Sequence, residues 1–226
     1  MNSTIIKKVH KIVIDKMKSS AHDYHHVMRV YHNCMLISNK EQGIDLNVLK
    51  LACLLHDIAR NEEDVCEDRS IDHAILGSDL SFALLTELGL EHKCVIQVCE
   101  AIRTHRFRGN NIPTTMEAKI LFDGDKLDIL GAIGIARLYM FSGEHGQLLF
   151  NDIDIDKYVD LNLLGKTKNG RVLQVKLHSP NLEYILKISD IPDKLFTNTA
   201  KELAQKRIAF MDNFFQVLQL ELGGHI

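Results

Sequence analysis

Twelve histidines in 226 residues is a high share, and a few of them are spaced with aspartates in a way that could do chemistry. His26, the adjacent pair His56-Asp57, and Asp125 form an ordered set of imidazoles and carboxylates on separate segments. Mixed nitrogen and oxygen ligands suit Mn²⁺, Fe²⁺, Co²⁺, Ni²⁺ or Zn²⁺; Mg²⁺ is a poorer match because it prefers oxygen. An ion held by these residues would keep positions open for water or substrate, and it would make water a nucleophile near neutral pH. The chemistry on offer is metal-assisted hydrolysis. His73 and His105 extend the order to His, His-Asp, His, His, Asp.

Those residues need elements to bring them together. Residues 3–18 carry Ile5, Val9, Ile12, Val13 and Met17 at helical period. Ser19, Ser20 and Asp23 follow as break and N-cap candidates. A second helix runs over about 24–42, with Val27, Val30, Cys34 and Ile37 on one face and Gly43 just past its end. Segment 45–59 is apolar on most sides, the mark of a buried central helix, yet near its end it carries His56 and Asp57. An ionised carboxylate there is costly unless paired or bound to a cation. Ser70 is positioned to cap a fourth helix ending at Gly89, and residues 91–105 form a fifth, with Val95, Val98, Ile102 and His105 in register. After a loop at 106–110, Thr114 and Glu117 fit a capping box. The helix that follows runs through Asp125 to about Met140, and Gly124, Gly131 and Gly134 mark close packing or a local break. Asn169-Gly170 separates 161–167 from 171–177, where Leu173, Val175 and Leu177 alternate with polar residues, so a β-hairpin is expected near residues 158–177. Helical pattern returns over 182–188 and runs strongly over 199–222 before Gly223-Gly224.

Composition excludes several classes. The chain is 46% hydrophobic and 25% charged with only 3 prolines, the profile of a mainly helical globular protein. A net charge of −3 gives no basic field for nucleic acid. The five cysteines contain no Cys-x-x-Cys pair and read as reduced core thiols of a cytoplasmic protein. The first 20 residues mix charge with apolar positions and lack the core of a signal peptide, and no apolar run is long enough to span a bilayer. Asp152, Asp154 and Asp156 imitate the start of an EF-hand loop, but Lys157 and Leu163 stand where Gly and Glu are required.

Four segments carry a family likeness: HDYHHVMRVY (22–31), LACLLHDIAR (51–60), EAIRTHRF (100–107) and FDGDKLDILGAIGIAR (122–137). With them the chain resembles the HD-domain superfamily of metal-dependent phosphohydrolases, and within it a bacterial stand-alone subgroup. The resemblance covers most of residues 20–142, and the 199–222 helix is similar to the subgroup's C-terminal helix. It implies an all-α fold: a single HD-domain helical bundle over 1–226, with a metal-binding core at about 20–142 and the hairpin and C-terminal helices in 143–226.

The same resemblance assigns His26, His56, Asp57 and Asp125 to the metal. It selects His26 over His25 because the family's position directly precedes the Val-Met-Arg-Val run, and Asp125 over Asp123 and Asp128 because Lys126-Leu127 follows it. Gly124 stands where related chains often carry Ala. His73 and His105 join Asp57 as catalytic candidates. Some HD phosphodiesterases use the longer set to hold two metals, but a single metal with both histidines on phosphate is preferred here, because neither has a second carboxylate at an obvious ligand spacing. Lys126, Arg29 and Arg137 are candidate phosphate contacts and His22 a supporting group at the substrate, each with an ion-pair, surface or capping role as its plain counterpart. Arg103, Arg106 and Arg108 form a local basic cluster near His105 that could steer an anion. No Gly-Tyr-Pro motif of the cyclic-dinucleotide phosphodiesterases is present, nor a synthetase domain.

The implied activity is hydrolysis of phosphoester or phosphoanhydride bonds, of nucleotides, with a divalent ion (Mn, Fe, Co, Ni, Mg or Zn) as cofactor and a small phosphorylated substrate as partner. The rival class is a non-catalytic protein whose HD pocket senses a nucleotide; the full ligand set argues against it.

Overall fold

The computed structural model describes residues 3–16, 24–66, 68, 70–106 and 111–226. The expectations for Ser19, Ser20, His22, Asp23 and Arg108 therefore lie outside the described residues. The chain divides into two compact units, Met1–Asp128 with Leu195–Ala200, and Ile129–Lys194 with Lys201–Ile226.

The first unit is built from seven helices among the described residues: α1 (Ser3–Lys16), α2 (Tyr24–Ser38), α3 (Leu46–Leu55), the short α4 (Arg60–Asp64), α5 (His73–Glu87), α6 (His92–Thr104) and α7 (Met116–Leu127). α3 is the central one. Asp45 caps it by accepting from the backbone N–H groups of Asn47 and Val48, and Val48, Leu49 and every residue from Leu51 to Leu55 are buried. It packs against α1, α2, α6 and α7, so its all-round apolar surface has a partner on every side. Helix α3 ends at Leu55, and His56 to Ala59 form a turn leading into α4, four residues shorter than the helical pattern suggests.

α2 and α7 approach closely because of one glycine. A Cβ built at Gly124 would lie 2.3 Å from Cys34 Sγ and 3.3 Å from Val30 O, so only hydrogen fits there. Two caps differ from expectation. Asp72, not Ser70, caps α5 by accepting from the Ala74 N–H. Thr115, not Thr114, caps α7 through the Ala118 N–H, and Glu117 accepts instead from the Asp45 N–H at 2.6 Å, tying α7 to the start of α3. The helix expected to continue to Met140 stops at Leu127. Gly131 adopts φ +73°, a left-handed conformation that interrupts the chain before α8 (Gly131–Glu144).

The second unit holds α8, α9 (Ile155–Asn162), α10 (Pro180–Glu183) running into a π-helical turn at Tyr184–Ile188, α11 (Ile191–Lys194), and most of α12 (Asn198–Leu222). Its core gathers Tyr158, Val159, Leu163, Leu182 and Leu186. The β-hairpin expected near 158–177 is not formed. Residues 155–162 are helical, 164–166 and 175–177 are 3₁₀ turns, and a single antiparallel bridge joins Leu163 to Val172. The physical reason is local. Gly165 and Lys166 both take positive φ, which breaks an extended strand. The Asn162 side chain then accepts from the Gln174 N–H at 2.7 Å and donates to its carbonyl at 3.1 Å, taking the place of a strand partner. Asp154 N-caps α9 through the Lys157 N–H, so one acid of the run there has a capping role.

Candidate metal centre

The ligand candidates reach one buried point from five segments. His26 lies on the inward face of α2, beside Val27 and Val30, while His25 is exposed. His56 and Asp57 form the turn that ends α3. His73 opens α5, His105 closes α6, and Asp125 sits in the last turn of α7. His26, His56, Asp57, His73 and His105 are all at most 3% exposed.

Asp57 stands at the centre and uses its two oxygens in different directions. Its Oδ2 lies 3.4 Å from His26 Nε2 and 3.7 Å from His56 Nε2. Its Oδ1 lies 3.1 Å from His73 Nε2 and 3.8 Å from His105 Nε2. The ligand atoms of His26, His56 and Asp57 lie within 4.8 Å of one another, and so do those of Asp57, His73 and His105. Asp125 joins the first group, with Oδ1 at 3.5 Å from His26 Nε2, while its Oδ2 accepts from Lys126 Nζ at 2.7 Å.

The outer ring nitrogens settle the tautomers. His56 Nδ1–H donates to the Cys53 carbonyl at 2.8 Å, and His105 Nδ1–H donates to the Ile102 carbonyl at 2.5 Å. His26 Nδ1–H donates to Asp128 Oδ2 at 2.8 Å, and His73 Nδ1–H to Glu63. A neutral imidazole carries one N–H, so in its neutral form each of these rings presents an Nε2 lone pair inward. Two such nitrogens, of His26 and His56, lie only 3.4 Å apart and face carboxylate oxygens. Acceptors converging on acceptors need a proton or a metal cation between them, and this donor set fits a divalent ion.

The electrostatics agree. Burial works against charge on Asp57, but His56, His26 and His73 hold its carboxyl well below the usual carboxylate range. Asp125 is likewise held low against burial, by Lys126 and the surrounding imidazoles. Burial lowers His56, and pushes His105 down to about 3. Burial opposes charge on His26 too, yet its hydrogen bonds to Asp128 and Asp57 raise it to about 9: without a metal a second proton, on His26 Nε2, supplies the positive charge the carboxylates favour, and a metal bound there would take its place.

Two carboxylates were not singled out as partners of the set. Asp128, considered only as a rival to Asp125, accepts from His26 and from both Nε and Nη2 of Arg29, at 2.7 and 3.1 Å. Glu63 accepts from His73, from Arg60 Nη1 at 3.0 Å and from Arg106 Nη1 at 2.6 Å. The other rival, Asp123, accepts from the Phe196 and Thr197 N–H groups and the Thr197 hydroxyl, anchoring segment Leu195–Ala200. Of the basic candidates, Lys126 is on Asp125 and Arg29 is on Asp128; Arg137 lies on α8 in the second unit. Arg103 pairs with Asp79 in solvent.

Comparison with known proteins places this geometry in a family. Residues 23–130 match the HD domain model. The YpgQ protein of Bacillus subtilis is 30% identical over 220 residues, covering 96% of this chain and 91% of that one. The crystal structure of YpgQ in complex with ADP superposes with a TM-score of 0.69 at 26% identity, covering 97% of this chain and 98% of that one. An HD-superfamily hydrolase from Bacillus thuringiensis superposes with a TM-score of 0.70 at 25% identity, covering 97% of each chain.

Proposed function

The chain belongs to the HD-domain family, and from that premise we propose that it is a metal-dependent phosphohydrolase acting on phosphoester or phosphoanhydride bonds of a nucleotide. One observation carries the reading: four buried imidazoles whose outer N–H groups are all spent, with all four Nε2 atoms gathered around the two oxygens of Asp57. ADP bound to YpgQ supports a nucleotide as the ligand class.

In this reading His26, His56, Asp57 and Asp125 hold a divalent ion. Such an ion supplies charge that polarises a phosphoryl oxygen and makes water a better nucleophile near neutral pH. Asp128 keeps His26 in the ligating tautomer, and the Cys53 carbonyl does the same for His56. Lys126, beside Asp125, is placed to meet charge developing on phosphate.

His73 and His105 read differently from the phosphate donors expected of them. Burial keeps His105 neutral down to about 3, and its single N–H is given to Ile102. It therefore offers a lone pair, with Asp57 Oδ1 as the carboxylate that sequence spacing did not supply. That favours a second cation-holding half over donation to phosphate.

Metal analysis of protein purified without chelator, followed by phosphate release over a nucleotide panel, tests the reading. Asp57→Ala removes an oxygen from both halves, so metal content should drop and turnover should fall at least a hundredfold, a loss of about 2.7 kcal/mol in transition-state stabilisation. Full metal and full turnover in that variant would sink the assignment. His105→Ala should lower metal stoichiometry from two to one; an unchanged stoichiometry removes the second half from the proposal. Nucleotide binding by the metal-loaded wild type without turnover on any nucleotide would favour the sensor class instead.

A further inference from the structure

Near its end α7 carries three consecutive residues with different neighbours: Asp123, Gly124 and Asp125. Successive side chains on an α-helix stand about 100° apart, so Asp123 and Asp125 leave α7 on nearly opposite sides. Asp125 faces the centre, with Oδ1 at 3.5 Å from His26 Nε2. Gly124 lies against α2, and its carbonyl accepts from Asn33 Nδ2 at 3.0 Å. The peptide group that joins Gly124 to Asp125 is thus held by a buried side chain. Asp123 is fully buried as well, and what it holds is a different part of the chain.

That part is Leu195–Ala200, a short return to the first unit between Lys194 and Lys201 of the second. Asp123 Oδ1 accepts from the Phe196 N–H at 2.9 Å, and Oδ2 from the Thr197 N–H at 2.8 Å and the Thr197 hydroxyl at 2.7 Å. Thr197 Oγ1 in turn accepts from the Ala200 N–H at 3.3 Å, in the first turn of α12. The Phe196 ring meets Phe122 edge-on, with centroids 5.1 Å apart. Both oxygens of Asp123 are committed, so α7 cannot rotate without leaving buried donors unpaired. Rotation is the motion that would swing Asp125 off His26. At a side-chain radius of about 5 Å, a turn of about 10° moves a ligand oxygen by about 0.9 Å, more than the roughly 0.5 Å that a metal or catalytic constellation tolerates.

We propose that Asp123 is a positioning residue of the metal centre: by docking Leu195–Ala200 on the side of α7 opposite the pocket, it sets the rotation of that helix and so the placement of Asp125. Such coupling is reciprocal, so a bound cation holds the segment by the same factor that the segment raises cation affinity. The inference rests on the metal reading of Asp125 and adds a control on it from outside the pocket.

Asp123→Asn keeps the shape of the side chain but turns an NH2 group towards N–H and O–H donors. In Mn²⁺ titration of the metal-free proteins, its affinity should fall about tenfold. Glu41→Gln is the comparison. It weakens the segment's other tie, from the Thr199 hydroxyl to Glu41 Oε1 at 2.8 Å, at a residue outside α7. That variant should lose Tm yet keep its Mn²⁺ affinity within about twofold of wild type. An equal loss of affinity in both variants, or an unchanged affinity in Asp123→Asn, overturns the proposal. A wild-type measurement decides the matter if Asp123→Asn does not fold. On addition of Mn²⁺, amide hydrogen exchange at Phe196 and Thr197 should slow more than at Asn47 and Val48, whose N–H groups Asp45 caps at the start of α3. Equal slowing would show general stabilisation only and overturns the proposal. If wild type binds no Mn²⁺, the metal reading fails and takes this inference with it; if wild type and Asp123→Asn bind Mn²⁺ equally, this inference alone fails.

Discussion

At the level of single residues, the centre is set by what lies behind each imidazole. Asp128 is 1% exposed, and its oxygens are shared between His26 Nδ1 and the Arg29 fork. Asp128→Asn keeps an acceptor for His26 but removes the charge that favours the ligating tautomer and leaves Arg29 unneutralised. Metal affinity should fall about 10- to 100-fold, with the fold intact by circular dichroism. Titration of the metal-free variant with Mn²⁺ measures this, and an unchanged affinity would show that Asp128 only pairs with Arg29. The residues that converge were largely legible in the sequence: the order of imidazoles and carboxylates pointed to them, and the family likeness chose His26 over His25 and Asp125 over Asp123 and Asp128. Glu63 and Asp128 were not recognised as partners. Glu63 meets His73 and Arg106 only once α4, α5 and α6 have folded together, and Asp128 meets His26 across 102 positions of sequence. An acid among many on the surface of a chain gives no sign of which imidazole it will stand behind.

At the level of elements, the close approach of α2 and α7 is what lets His26 and Asp125 face one another. Gly124→Ala sets a Cβ at 2.3 Å from Cys34 Sγ, and the neighbouring contacts at 3.3 Å are backbone atoms that cannot move aside. Overpacking of this kind should cost about 1–3 kcal/mol in denaturant unfolding. Cys34→Ala removes the sulfur, so the double variant should be less destabilised than the sum of the singles. Additive losses would mean that backbone contact, not sulfur, sets the spacing. Elements were readable where their pattern came from burial, as in α3 and α6. The hairpin misled because Leu173, Val175 and Leu177 alternate yet are 40–54% exposed, so their period of two reports no buried strand face. What organises that stretch is Asn162, whose side-chain bonds to Gln174 have no periodic signature.

At the level of the whole molecule, stability should respond to metal and to pH through different groups. A cation bound only by the folded form adds about 2.7 kcal/mol when free metal is a hundred times its Kd, so chelation should lower Tm measurably. Equal Tm with and without chelator would mean that no such cation is bound. In the second unit Glu183 accepts from His178 Nε2 at 2.8 Å and from Lys187 Nζ at 2.9 Å. Burial opposes its charge, but these two partners hold its pKa below the ordinary 4.5. A carboxyl lowered on folding contributes stability that is complete above the unfolded value and is lost as pH falls through the folded one. The Tm difference between wild type and Glu183→Gln should therefore be largest above about pH 5 and shrink on acidification. A difference that stays constant to pH 3 would show that the charge of Glu183 is not what stabilises the unit.

His56 and His105 share a placement: each is the first residue after a helix, and each returns its Nδ1–H to the carbonyl three residues earlier. Those carbonyls belong to the last turn, where intrahelical N–H donors run out; that of Ile102 otherwise has only the long 3.4 Å contact from the His105 N–H. The imidazole therefore closes the helix and takes its own orientation from it. Fraying of that turn and loss of ligand geometry become one event, so the ends of α3 and α6 open only when the centre comes apart. In amide hydrogen exchange this would make two helix termini, ordinarily the fastest-exchanging parts of a helix, slow down together when a divalent ion is added.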